Sequence, residues 1–113
     1  MHVATVVGNL WSTKKDDSLI GLRFLVVQPI NADGSAGAET MVAADNLGAG
    51  IGERVLVVHG RAARHLIGRG HDVGMQTAIA GIIDKVELEG GRTLGITADW
   101  DTDAGDSEAK AND

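Results

Sequence analysis

Three glycines in five residues, Gly48, Gly50 and Gly52, followed at once by Arg54-Val55-Leu56-Val57-Val58, limit the fold of this chain more than any other stretch. Glycine carries no Cβ, so the backbone there can take positive φ or lie close against another backbone. Four consecutive β-formers behind one charge suit a strand buried on both faces better than one facing water. Gly60 ends that run. From Arg61 to Ile67 the spacing turns helical: Ala62 stands over Leu66 and Ala63 over Ile67, Arg64 and His65 place positive charge late, and Gly68 supplies the stop. The passage predicts a loop, a strand and a short helix, with something packed tightly against the loop. It does not read as a phosphate cradle. Glu53 stands where a third glycine is needed, and the loop leads into a strand, whereas a dinucleotide-binding loop follows a strand and opens a helix.

The remaining segments read as strands broken by turns. Val3 to Trp11 places Val3, Thr5 and Val7 on one face and Ala4, Val6 and Leu10 on the other, so both faces are apolar. A polar loop, Ser12 to Ser18, carries the neighbouring charges of Lys14, Lys15, Asp16 and Asp17, either solvated or facing a partner. Leu22 to Ile30 is again apolar on both faces. Asp33-Gly34 closes a hairpin, and a third strand over about Glu39 to Ala44 returns antiparallel. After the helix, Gly68 to Gly74 is a loop. Ala78 to Leu88 is the last core strand, with Gly81 inside it as a mark of a bulge, a bend or a close backbone approach. Gly90-Gly91 reads as a two-residue turn that sets Glu89 opposite Arg92 and returns Thr93 to Ile96 as a short strand. Beyond Thr97 the composition shifts to Asp, Ala, Gly, Ser and Asn, too polar to offset the entropy of ordering, although Trp100 can dock locally. The expected division is a barrel domain over 1–97 and a disordered acidic tail over 98–113.

Function classes fall away on composition. A chain of 113 residues with 43% hydrophobic residues makes one domain with a core. There is no cysteine, hence no disulfide and no thiolate chemistry. No stretch reaches the roughly 18 apolar residues of a membrane span, and no signal peptide precedes the first strand, so a soluble cytoplasmic protein is expected. The net charge is −6 and is concentrated in the tail, and aromatics make up only 3%. Neither the basic groove nor the stacking platform of a nucleic-acid binder is present. His59, His65 and His71 are spaced by six, which fits no metal-ligand pattern, so they read as surface or interface histidines. Nothing marks a serine as activated, and no catalytic residue or cofactor is expected.

Five strands with turns about every ten residues, one short helix between the fourth and fifth, and no βαβ alternation predict a small all-β fold, a five-stranded closed barrel of OB type. Strands one, two and five are apolar on both faces, and a barrel has only one inside. Identical chains are expected to cover the surplus.

The residues also carry a resemblance. Ser12-Thr13-Lys14-Lys15, Ser18-Leu19-Ile20-Gly21-Leu22-Arg23-Phe24, Val42 to Gly50, Val55-Leu56-Val57, Ala62-Ala63-Arg64-His65 and Gly81-Ile82-Ile83-Asp84 resemble, in order, the EutN/CcmL family of bacterial microcompartment vertex proteins. The combination of Asp45-Asn46-Leu47-Gly48-Ala49-Gly50 with Ala62-Ala63-Arg64-His65 is the most specific part, and the acidic tail lies outside it. The resemblance implies an OB-like barrel in a homopentamer that caps the vertices of a shell, carboxysome or catabolic metabolosome, tiled by hexameric and trimeric proteins. It implies no enzymatic activity. It makes Gly48, Ala49 and Gly50 candidates for the fivefold axis, and Asp45, Ala62, Ala63, Arg64 and Lys14 candidates for the subunit interface, with Asp45 and Arg64 as polar anchors. The alternative function is an OB-type binding module for nucleic acid or a small ligand.

Overall fold

The computed structural model describes residues 1–68 and 75–102. Five strands, β1 (His2–Leu10), β2 (Arg23–Pro29), β3 (Met41–Asp45), β4 (Arg54–His59) and β5 (Thr77–Ile82), close a barrel in the order β1-β2-β3-β5-β4. The pairs are antiparallel except β3 with β5, which meet in parallel at Ala44 and Ala78 and complete the closure. Closure leaves no free edge. Ala4, Val6, Leu25, Val27, Ala43, Val55, Val57 and Ile79 point inward with Ala49 and form the core. Their alternation along each strand is the period-2 pattern that the sequence carries.

The second apolar face is partly accounted for within the subunit. The helix α1 (Gly60–Ile67) lays Ala63 and Ile67 against the outward residues Ala44, Val58 and Ala78, with Leu19, Leu22, Met75 and Ala80 around them. Gly68 ends α1 at φ 80°, and its N–H bonds the carbonyl of Arg64. This is the left-handed cap the sequence placed there. Gly81 lies beside a bulge in the β4–β5 ladder, where the register shifts between Leu56 and Val57.

Past the barrel the structure departs from the sequence reading. The strand expected to run to Leu88 stops at Ile82, and Lys85–Glu87 (β6) pairs instead with Thr93–Gly95 (β7) in a separate two-stranded sheet. β4 begins at Arg54, whose carbonyl accepts from Ile83 N–H, so the residues after Ile83 have no β4 partner left. The turn also differs: Leu88 N–H bonds Arg92 O, so Leu88 and not Glu89 faces Arg92, and Glu89–Gly91 make a three-residue turn with positive φ at Gly90 and Gly91. β3 begins and ends later than expected, at Met41 and Asp45.

Nor does the chain leave the fold at Thr97. Ala98–Trp100 form a 3-10 turn, and Thr102 pairs with Thr93. Between them Asp101 holds the guanidinium of Arg54, with Nη1 to Oδ1 at 2.6 Å and Nη2 to Oδ2 at 2.9 Å. Arg54 is 3% exposed and also donates to Gly95 O and Thr5 Oγ1. Trp100 closes over Gly95 so tightly that a Cβ there would stand 2.1 Å from the Cβ of Trp100. The segment is a strap held at the start of β4, where Arg54 pairs with Thr5 of β1. His71 and the remainder of the acidic tail from Asp103 lie outside the described residues.

Candidate functional site

Asp45 organises the most distinctive surface. It is the last residue of β3, and its side chain is wholly inside the subunit. Its carboxylate accepts from the backbone N–H groups of Leu47, Gly48 and Ala49 and from Arg23 Nη1 at 2.7 Å. Three successive amides converge on one anion, as in a backbone nest. Glu53 then caps Gly50 N–H with its Oε1. Two carboxylates thus fix a loop whose glycines would otherwise leave it free.

The three candidate axis residues separate. Gly48 is exposed at φ 84°, with nothing within 4 Å of where a Cβ would stand. Gly50 is half-buried. The methyl of Ala49 plugs the barrel core and is fully buried. The loop instead presents Leu47 and Ile51, 51% and 63% exposed, on either side of its glycines.

Asn46 ties this loop to α1 by donating to Leu66 O. Leu66 is itself exposed, as is Ala62, while Ala63 is buried beneath the helix. Arg64 lies on the same helix with its Nε buried and no hydrogen-bond partner among the described residues. A buried unpaired guanidinium N–H is unfavourable unless something else satisfies it. Of the two polar anchors read from the sequence, Asp45 works inward on its own loop, and Arg64 carries an unmet donor. Lys14 is exposed on the loop after β1. Near it a cleft of about 400 Å³ is lined by Leu10, Trp11, Leu22, Phe24, Lys15 and Arg23, with Trp11 87% exposed.

Among the described residues no three His, Asp or Glu side chains converge as a metal site, and no helix is long and apolar enough to cross a membrane. His59 meets His2, 57 residues away, rather than His65. Burial first, then the charges of His2 and the terminal ammonium, hold the His59 imidazole below its ordinary pKa. What the surface offers is a rigid loop of small residues ringed by exposed leucine, isoleucine and one unsatisfied arginine, which suits contact with another protein surface.

Residues 1–84 match the family model for ethanolamine utilisation protein EutN/carboxysome. The chain belongs to the EutN/CcmL family. The carboxysome shell vertex protein CcmL of Thermosynechococcus vestitus is 46% identical over 89 residues, which cover 79% of this chain and 89% of that protein. The bacterial microcompartment shell vertex protein PduN of Salmonella typhimurium is 42% identical, over 76% of this chain and 98% of its own. Among solved structures, the GrpN pentameric microcompartment shell protein of Rhodospirillum rubrum superposes with a TM-score of 0.70 at 35% identity, covering 78% of this chain and 99% of that one. The EutN/CcmL match ends at Asp84, so β6, β7 and the Arg54–Asp101 strap continue beyond the matched residues. Sequence reasoning missed that strap and the His2–His59 pair, since each joins residues some fifty positions apart with no local signal.

Proposed function

We propose that this EutN/CcmL chain is a shell protein that assembles as a homopentamer and caps the vertices of a bacterial microcompartment. The observation that carries the reading is the match to a pentameric shell protein over 99% of that protein and 78% of this chain. The physical argument runs alongside it. A single head-to-tail contact repeated five times closes a ring when each copy turns by a fifth of a circle, and a flat hexagonal layer needs such fivefold positions to close into a polyhedron. The exposed Leu47, Ile51 and Leu66 supply apolar area for that contact.

In this reading the Gly48-Ala49-Gly50 loop approaches its symmetry mates at the fivefold axis, with Gly48 giving room for backbones to converge and Ala49 locking the loop to the barrel. Arg64 finds its acceptor on the neighbouring subunit, across the small exposed face of Ala62. Asp45 holds the loop in shape. The exposed Lys14 lies at the subunit interface, and hexameric and trimeric shell proteins meet the pentamer in the cytoplasm. The chain itself is not an enzyme, and catalysis belongs to the proteins enclosed.

Deleting this gene and any paralogue tests the role in the cell by electron microscopy of the shells. Elongated or open-ended shells are expected, and sealed polyhedra in the deletion strain would overturn the vertex reading.

A further inference from the structure

The seam between β1 and β4 carries a further group of polar side chains. His2 pairs with Val57 across this seam, and His59 lies two residues further along β4, so the two side chains emerge on the same face. His2 Nδ1 and His59 Nε2 stand 2.8 Å apart, with ring planes at 84° and ring centroids 4.9 Å apart. The other nitrogen of His59 lies 3.4 Å from Thr77 Oγ1. A proton on that Nδ1, directed at the hydroxyl, leaves Nε2 as a lone-pair donor, the way outer-shell partners orient ligating histidines.

We propose that His2 and His59 form a two-nitrogen binding site for a divalent late first-row metal ion such as Ni²⁺ or Cu²⁺. At metal–nitrogen distances of about 2.1 Å, two ligands at a right angle stand about 3.0 Å apart, and two tetrahedral ligands about 3.4 Å. The observed 2.8 Å is nearer the first, the geometry of tetragonal and octahedral ions. The nearly perpendicular rings keep clear of each other when both nitrogens turn to one ion. In the metal-free pair a single hydrogen lies between the two nitrogens. When the ion takes the place of that hydrogen, the His2 proton moves through solvent from Nδ1 to Nε2, so two neutral imidazoles bind without net proton release. Water fills the other positions, since no third His, Asp or Glu converges there among the described residues.

The test is a calorimetric titration of the tag-free full chain with Ni²⁺ in a buffer free of chelators, with the bound ions counted by native mass spectrometry. One ion per chain is expected. His2→Ala and His59→Ala should each lower the affinity by about tenfold or more. His65→Ala, on the exposed side of α1, should leave it unchanged. Circular dichroism checks that each variant is folded, and His2→Ala, at an exposed position, keeps the test valid if His59→Ala is not. Absence of binding up to millimolar Ni²⁺, equal affinity in His2→Ala, or an equal loss in His65→Ala would each overturn the site.

Discussion

Replacing Asp101 with alanine removes three hydrogen bonds at once, two from the guanidinium of Arg54 and one from Gly95 N–H at 2.9 Å. The arginine side chain, 3% exposed in the parent, keeps its charge and has Gly95 O and Thr5 Oγ1 as acceptors. Breaking one side of a buried ion pair costs about 3–5 kcal/mol. The Asp101 side chain is 27% exposed, so solvent screens part of the interaction and the lower end applies, about 3 kcal/mol. For a domain of this size that lowers Tm by about 10 °C or more. Thermal melts followed by circular dichroism measure it. The double variant Arg54→Met/Asp101→Leu should recover most of the loss, because replacing both partners with apolar groups leaves no buried charge behind. With Arg54→Met and Asp101→Leu also measured singly, the double-mutant cycle should give a coupling of about 2 kcal/mol. A Tm for Asp101→Ala within about 2 °C of the parent would refute the claim that the strap is part of the folded unit.

Truncation after Thr102 should leave melting and assembly intact, since the strap is kept, whereas truncation after Trp100 should reproduce the loss expected for Asp101→Ala; equal melts for the two truncations would contradict this. Asp45→Ala strips three loop amides and Arg23 of their shared acceptor, a loss of about 3 kcal/mol, and the oligomer should dissociate at lower dilution than the parent in size-exclusion with light scattering. Gly50→Val places its Cβ 3.1 Å from the movable end of Glu53, which the isolated subunit can accommodate. Ring formation should fail while the barrel stays folded, and a variant ring of unchanged stability would move the loop away from the axis.

The barrel was legible because its determinants are local and periodic. The inward residues Leu25, Val27, Val55 and Val57 alternate in sequence as they do in space, and Gly60 and Gly68 bracket α1 by backbone rules. The surplus of apolar strand residues was also visible, although α1 covers part of it through Ala63 and Ile67. Long-range polar pairing was not visible. Asp101 sits among acids that resemble a solvated tail, and nothing near it in sequence announces a buried Arg54 at a distance of 47 residues. Ala49 looked like its glycine neighbours because its size alone does not reveal which way its methyl points. The end of β5 was concealed because apolar residues recur at Ile83, Val86 and Leu88, between Asp84, Lys85 and Glu87, whereas its partner strand β4 begins only at Arg54, whose carbonyl takes the bond from Ile83 N–H.

Native mass spectrometry of the full chain at micromolar concentration tests the central claim most directly. The account predicts a ring of five chains that persists on dilution and comes apart in Arg64→Ala, where the neighbour's acceptor is left without its donor. A stable monomer, dimer or hexamer of the parent chain would contradict it.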